Sequence, residues 1–432
     1  MLRENATPLY HIWTIGCQMN KAESERLGSL LEQRGYQSTA IPEKADVVVV
    51  NSCVVRQSAE NRVVNKLHAL RQLKRLHPEL TVAVTGCFVD ADDVALKKQY
   101  PQVDYFFRAG DLPQWMDDIK PAEMLPKQPP VSVFVPIMQG CNNFCTYCIV
   151  PFRRGRERSR PLQDIVNESV RLVELGAKEV VLLGQNVDSY GRDLPENPDL
   201  ADLLKELNAV DGLLRIRFLT NHPKGMSRRL IVSVAQLDKV CEQINLPVQA
   251  GDDSVLELMK RGYTVDHYRD LVAEIRDRIP GVALSTDLIV GFPSETEEQF
   301  RRSVDLLSDL KFDAVHVACY SPRSGTFAAR HMLDDVAATE KRRRLKVVEE
   351  LQERISGEIN EKLVGKSLGV LVEGKTRGKW RGRTRSDKLV FFSAPGDCLG
   401  KLARIVISKA SAWSLQGIPA ADVSTGSDEE EL

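Results

Sequence analysis

An α/β protein of three domains is predicted: an N-terminal parallel α/β domain over residues 8–125, a central partial (β/α)6 barrel over 127–360, and a small antiparallel β-barrel over 361–423. Three observations carry this. Apolar strand-like runs alternate with amphipathic stretches from the start of the chain, the pattern of a parallel sheet with helical crossovers. From about residue 131 to 357 that strand–helix unit recurs about six times, which matches an open or partial barrel. Beyond residue 362 the pattern shortens to apolar alternations punctuated by glycine, as in a small antiparallel barrel.

In the first domain, strands are expected at Tyr10–Gly16, Ala45–Asn51 and Thr81–Gly86, and helices at Lys21–Arg34 and Ala59–Leu76. Val63, Leu67, Leu70 and Leu73 recur at intervals of three or four, the period of one helix face. Pro121, Pro126, Pro129 and Pro130 mark a linker. In the second domain the strands are expected at Val131–Ile137, Glu179–Leu183, Arg215–Leu219, Ile244–Val248, Val282–Val290 and Ala314–Ala318. Helices include Leu162–Leu175, Asp266–Arg278 and Glu297–Leu310, and the long charged stretch Ala337–Leu363 ends the domain. In the third, Leu368–Val372, Lys388–Phe392 and Ala403–Ser408 alternate as half-buried strands do. Residues 424–432, STGSDEEEL, are polar and acidic and read as a disordered tail.

Hydrophobic residues make up 43% of the chain and charged residues 28%, enough apolar material for a sizeable core. The 59 Lys and Arg nearly cancel the 60 Asp and Glu, so whole-chain charge points to no polyanion partner. No run of ~18 apolar residues exists, so neither a membrane helix nor a membrane partner is expected. The opening MLRENATPLYHIWTIG lacks a basic segment, apolar run and small-residue cleavage site, so no secretory signal is expected. Nine cysteines is an odd number for a disulfide framework. Six of them fall in two sets of three, which reads as metal ligation in a reducing cytosol.

The first set, Cys141, Cys145 and Cys148, stands in GCNNFCTYC directly after the first barrel strand. Loops at the C-terminal ends of barrel strands are where such folds place their chemistry. Three thiolates can hold three irons of a four-iron cluster and leave the fourth open for a small molecule. That geometry suits chelation of S-adenosylmethionine and electron transfer to its sulfonium. The alternative is a zinc site closed by a distant ligand, of which the nearest downstream histidine is His222. Phe144 and Tyr147 stand beside the thiols, either near the ligand or as plain core residues.

The second set is Cys17, Cys53 and Cys87. Each ends a predicted parallel strand: YHIWTIGC, ADVVVVNSC and TVAVTGC. The carboxyl ends of parallel strands share one edge, so three distant thiols can converge there. A second cluster with an open iron, able to bind an exogenous sulfur atom, follows; three independent buried thiols are the alternative. Cys241, Cys319 and Cys398 show no such pattern and are expected to be buried thiols.

These residues resemble the radical S-adenosylmethionine methylthiotransferase family over nearly the whole chain. CNNFCTYCIVPFRRGRERSRP (141–161) looks like the family's general loop, although Phe152–Arg153 stands where Tyr–Thr is commoner. LLGQNVDSYG (182–191), NLPVQAGDDSVLELMKRGYT (245–264), STDLIVGFPSETEEQF (285–300) and YSPRSGT (320–326) look like the branch that modifies isopentenylated adenosine 37 of tRNA. The branches acting on threonylcarbamoyl-adenosine or on a ribosomal-protein aspartate are less similar there. The resemblance implies a radical S-adenosylmethionine core, two [4Fe-4S] clusters and S-adenosylmethionine in two roles. One molecule donates a methyl group to sulfur at the Cys17–Cys53–Cys87 cluster. Another yields a 5′-deoxyadenosyl radical at the Cys141–Cys145–Cys148 cluster. The radical takes hydrogen from C2 of the adenine, where the methylthio group is installed. An unactivated aromatic C–H offers no acidic proton to a side-chain base, so the hard step belongs to cofactors, and no catalytic side chain is assigned. Implied partners are the tRNA anticodon stem-loop, an electron donor and a sulfur source. The reading from a different class is a non-catalytic iron–sulfur or zinc RNA-binding protein.

Further cofactor contacts are expected from Tyr147, from Gln185 and Asn186 at the end of the second barrel strand, from Gln249, and from Ser285 and Asp287. The amides can donate and accept, which suits the amino acid end of S-adenosylmethionine. Residues 362–409 hold twelve Lys and Arg against three Asp and Glu, concentrated in GKTRGKWRGRTRSDK (374–388). Lys375, Arg377, Lys379, Arg381, Arg383 and Arg385 are expected to meet RNA phosphates. Trp380 is expected to stack on an unpaired base. The segment resembles the TRAM-type RNA-binding barrel of this family and of tRNA methyltransferases. Arg153, Arg154, Arg156, Arg158 and Arg160 either face tRNA or cofactor at the barrel mouth, or pair internally with Glu157 and other acids.

Overall fold

The computed structural model describes residues 7–54, 57–89, 94–112, 115 and 125–420. The expected acidic tail and Pro121 of the linker lie outside them. The N-terminal sheet is parallel throughout, in the order Gln37–Ser38, Leu9–Thr14, Val47–Ser52, Thr81–Gly86, Tyr105–Phe106. Its central strand, VVVVNS, is buried at every position because helices cover both faces. Helix Gln57–Leu76 packs Val63, Leu67 and Leu70 under one face. Helix Gln18–Gln33 packs Leu27, Leu30 and Leu31 against Tyr10, Val47 and Val49 on the other.

The central domain has the six expected strands in two parallel triplets. Arg215–Phe218, Glu179–Leu183 and Ser132–Pro136 form one; Gln243–Asn245, Ala283–Val290 and Ala314–Cys319 form the other. An Ile216–Val240 bridge joins them. The fourth strand stops at Asn245 although Ile244–Val248 was expected. Pro247 has no N–H for a ladder, and Gln249 has φ 74°, so pairing with the fifth strand continues only piecemeal. Helix Ala338–Glu361 packs against the last strand.

The C-terminal domain is a closed five-stranded barrel, ordered Ser367–Thr376, Lys379–Arg383, Leu389–Phe392, Leu415–Pro419, Leu402–Ala410. Four pairings are antiparallel, and the one between Leu389–Phe392 and Leu415–Pro419 is parallel. Here the expectation for Trp380 is corrected. The indole is 5% exposed, packs with Val390, Phe392 and Ile405, and donates from Nε1 to the Ala394 carbonyl at 3.3 Å. Successive strand residues face opposite sides, so the alternation that sends Lys379 and Arg381 outward sends Trp380 inward. It is a core residue and stacks on no base. Trp380→Ala is expected to destabilise this barrel by about 3–5 kcal/mol. Hydrogen exchange of the barrel amides reads the effect, and wild-type protection would mean that the indole adds no packing.

Both flanking domains dock on the central one. Met19 and Ala22 of the first helix meet Val181 and Leu183, and Arg26 and Arg160 share Glu168 at 2.6 and 2.5 Å. On the other side, Arg217 pairs with Glu179 at 3.0 Å, both nearly fully buried. Arg217 also donates to the Thr384 and Arg385 carbonyls, and Arg215 donates to those of Arg383 and Gly369.

Candidate active site

Parallel register brings Cys17, Cys53 and Cys87 to one sheet edge. Ser52 pairs with Gly86 and Thr14 with Asn51, so the chain exits side by side at all three strands. Cys17 is the N-cap of helix Gln18–Gln33. The exits are too tight for side chains. A Cβ on Gly16 (φ 149°) would lie 2.9 Å from Cβ of Cys53, and one on Gly86 (φ 90°) 2.3 Å from the Ser52 carbonyl oxygen. Beneath them a buried amide pair fixes the edge: Asn20 Nδ2 donates to Asn51 Oδ1 at 2.8 Å, and Asn51 Nδ2 returns a bond to the Asn20 carbonyl at 2.8 Å.

Cys141, Cys145 and Cys148 occupy the loop after the first barrel strand. The loop is held by Cys141 N–H to the Gly155 carbonyl, Cys148 N–H to that of Cys145, and Thr146 Oγ1 to that of Leu258. Gln185 Oε1 accepts from Gly140 N–H at 2.5 Å, so this expected cofactor residue positions the cysteine loop. Tyr147 packs edge-on against Phe292 at 6.3 Å, and burial pushes its phenol pKa up. Phe144 is 37% exposed and carries the Arg156 guanidinium 4.4 Å from its ring centre.

The two sets face one another. A cavity of about 210 Å³ is lined by Cys17, Cys53, Cys87, Cys141 and Cys148, with Arg154 and Gln185 in its wall. Burial pushes the Cys141 thiol up to about 11 and the Cys148 thiol up to about 12. Burial likewise raises Cys87, with Arg154 pulling the other way. Metal binding there displaces thiol protons. Among the described residues no three His, Cys, Asp or Glu side chains gather tightly enough to hold one metal ion. Sulfur donors from both sets, five of the six lining one cavity, instead fit polynuclear clusters, whose irons are spread apart. Sequence reasoning missed Arg261. It is 6% exposed, with Nη1 donating to Cys145 Sγ at 3.4 Å and Nε to the Tyr263 hydroxyl at 2.9 Å. In the chain it stands beside Lys260 in LMKRGYT, and nothing in that segment separates the buried cation from the exposed one.

A larger cavity, about 520 Å³, runs along the inside of the partial barrel. Ser285, Asp287, Asn245 and His316 line it, and Lys388 and Trp413 of the C-terminal barrel bound it. Gln18, Leu219 and Thr220 line both cavities, so the space inside the barrel adjoins the cysteines. Gln249 bridges to Leu288 through its backbone. Asn186 is buried with Oδ1 lacking a partner, as are Asn221 Oδ1 and His222 Nε2 nearby in the fold. Asp188 ties the last two together, accepting from Asn221 Nδ2 and His222 N–H, and burial raises its pKa to about 6. Burial lowers His222 to about 3, so its ring is neutral at any physiological pH.

The basic segment divides. Lys375, Arg377, Lys379 and Arg381 are exposed. Arg383 pairs with Asp387 at 3.1 Å, and Arg385 with Glu242 at 2.6 Å and with the Asp238 and Val240 carbonyls. Arg385 is therefore a strap between domains, which corrects its expected place on the RNA face. In the arginine loop, Arg154 and Arg160 are internal, paired with Glu23 and Glu168. Glu157 is bonded by Asn142.

Three family models match the chain: "Radical SAM superfamily" over 135–307, "Uncharacterized protein family UPF0004" over 9–108 and "TRAM domain" over 361–420. The chain is 55% identical over 409 residues to a protein of Dehalococcoides mccartyi named tRNA-2-methylthio-N(6)-dimethylallyladenosine synthase, covering 95% of this chain and 98% of that one. It is 49% identical to the protein of the same name from Roseiflexus sp., covering 96% and 90%. In fold it is similar to the radical S-adenosylmethionine methyltransferase TsrM from Kitasatospora setae, with TM-score 0.54 at 14% identity over 87% of this chain and 77% of that one.

Proposed function

We propose a reaction from the premise that this chain belongs to the radical S-adenosylmethionine methylthiotransferases, in the branch of the tRNA-2-methylthio-N(6)-dimethylallyladenosine synthases. It is a transferase that installs a methylthio group at C2 of N(6)-isopentenyladenosine at position 37 of tRNA. The observation that carries the reading is the single cavity shared by both cysteine sets, adjoining the space inside the barrel. Cys141, Cys145 and Cys148 would hold the cluster that binds S-adenosylmethionine, and Cys17, Cys53 and Cys87 an auxiliary cluster. When bound, these groups supply the radical, the methyl group and the sulfur.

The chain's own residues do the rest. Gln185 and Thr146 fix the loop, so the first three thiols keep their geometry. The buried Asn20–Asn51 pair does the same for the other three. Asn186, Asn221 and His222 offer unpartnered polar atoms at the C-terminal ends of the second and third barrel strands, where the amino acid end of S-adenosylmethionine would meet them. Ser285 and Asp287 line the path inside the barrel. The three-domain division at about 126 and 360, and a cytoplasmic setting, belong to the same reading. Among the described residues no helix is long and apolar enough to cross a membrane.

The exposed cations of the C-terminal barrel would hold the anticodon stem-loop by its phosphates. Changing Lys375, Arg377, Lys379 and Arg381 together to Ala is expected to weaken tRNA binding and shallow the salt slope by roughly three to four units, at about 0.7–0.9 per contact. Binding curves that overlay wild type at every salt concentration would move the tRNA site elsewhere. The function itself is tested by nucleoside mass spectrometry on tRNA from a strain lacking the enzyme. Expression of this chain is expected to convert isopentenyladenosine to its 2-methylthio form and to leave threonylcarbamoyl-adenosine unmodified. The reverse pattern would place it in the other tRNA branch.

A further inference from the structure

Arg154 is shared by the two thiol sets. It follows Cys148 by six residues, at the end of the short helix Val150–Arg153. Its side chain nevertheless lies in the N-terminal domain. Nε donates to Cys87 Sγ at 3.3 Å, and Nη1 and Nη2 donate to the Glu23 carboxylate at 2.5 and 3.3 Å. The residue is 5% exposed. Ile149, at the start of the same helix, packs in the core that contains Cys87. A guanidinium in this position does more than fill space, because a charge buried beside a ligand sulfur is weakly screened.

We infer that Arg154 and Glu23 form a charge couple that sets the reduction potential of the cluster held by Cys17, Cys53 and Cys87. The inference rests on the reading that those three thiols hold a cluster. One-electron reduction adds one negative charge to a cluster. A cation donating to a ligand sulfur stabilises the reduced form more than the oxidised form, and hydrogen bonds to the sulfurs act in the same direction. Arg154 therefore raises the potential, and Glu23, an anion on the far side of the guanidinium, opposes it. Arg154 acts through Cys87 and is a positioning residue.

The test uses the full-length chain with Cys141, Cys145 and Cys148 changed to Ala, reconstituted anaerobically, so that only the second cluster is observed. Iron is counted, and the cluster is titrated with dithionite and titanium(III) citrate while its paramagnetic signal is followed. With about four irons retained, Arg154→Gln is expected to move the midpoint to more negative potential. Arg154→Lys should recover part of that shift, and Glu23→Gln should move it to more positive potential. A purely structural role would shift both neutral variants the same way or only lower their iron content. An unmoved midpoint in Arg154→Gln with iron intact, or shifts of like sign in Arg154→Gln and Glu23→Gln, overturns the inference. Where Arg154→Gln fails to retain iron, the Arg154→Lys and Glu23→Gln pair decides it by the same signs. A parent variant holding no iron would instead overturn the two-cluster reading beneath it.

Discussion

Cys145→Ala is expected to abolish reductive cleavage of S-adenosylmethionine, whereas Cys53→Ala keeps cleavage and loses the methylthio product. The two cysteines lie in different domains and belong to different sets that meet across one cavity, with Cys53 among its lining residues. Cys145 is buried, with its sulfur bonded by Arg261. Its loop is tied to the barrel by the Thr146 bonds to Met259 and Leu258. Cys53 leaves the central strand of the N-terminal sheet, whose core takes only Ile149 from the barrel loop. Removing it leaves the barrel loop and its anchors in place. Iron content accompanies both measurements. Wild type is expected to hold about eight irons, and the variant lacking Cys141, Cys145 and Cys148 about four. Normal product from Cys53→Ala would remove the N-terminal set from sulfur transfer, and cleavage by Cys145→Ala would remove the barrel set from radical formation.

Glu179→Ala is expected to destabilise the protein by about 3–5 kcal/mol and to loosen the C-terminal barrel, because breaking a buried ion pair strands the remaining charge. Glu179 is 2% exposed and Arg217 is 4% exposed, and the two are 3.0 Å apart. Ser132 Oγ donates to the other carboxylate oxygen at 2.8 Å. Arg217 spends its remaining donors on the Thr384 and Arg385 carbonyls, so the same guanidinium seats the C-terminal barrel. The loss should appear as a lower unfolding midpoint together with weaker tRNA binding. Replacing both members, Glu179→Leu with Arg217→Met, should recover much of the stability, since an apolar pair carries no stranded charge. It should not recover tRNA binding to the same extent, because the carbonyls of 384 and 385 lose their donor. Equal recovery of both properties would show that the pair has no part in seating the barrel.

The cysteine sets were legible in the chain for two different reasons. Cys141, Cys145 and Cys148 are close in sequence, so their spacing alone places the three thiols in one loop. Cys17, Cys53 and Cys87 are far apart, but each ends an apolar run, and parallel strands must end on one edge. The strands Thr81–Gly86 and Glu179–Leu183 and the helix Glu297–Leu310 start and stop where their apolar periods do. The fourth barrel strand does not, because Pro247 interrupts a run whose composition reads as continuous.

Local pattern therefore determined the order of elements, the three kinds of domain, the two thiol sets and the resemblance to a family. These depend on periodicity and spacing, which the chain carries in one dimension. Tertiary structure decided which polar groups meet. Trp380 and the cations beside it share one alternating strand, and only closure of the barrel shows that the indole lies inside. Arg381 and Arg385 look alike in GKTRGKWRGRTRSDK, yet one is exposed and the other is bound to Glu242, 143 positions away. Arg154 and Arg261 reach Cys87 and Cys145 across 67 and 116 positions. A charge carries no periodic signature of its partner. Its role is set by whichever group the packing of apolar surfaces brings within a few ångströms, and burial then makes that pairing matter.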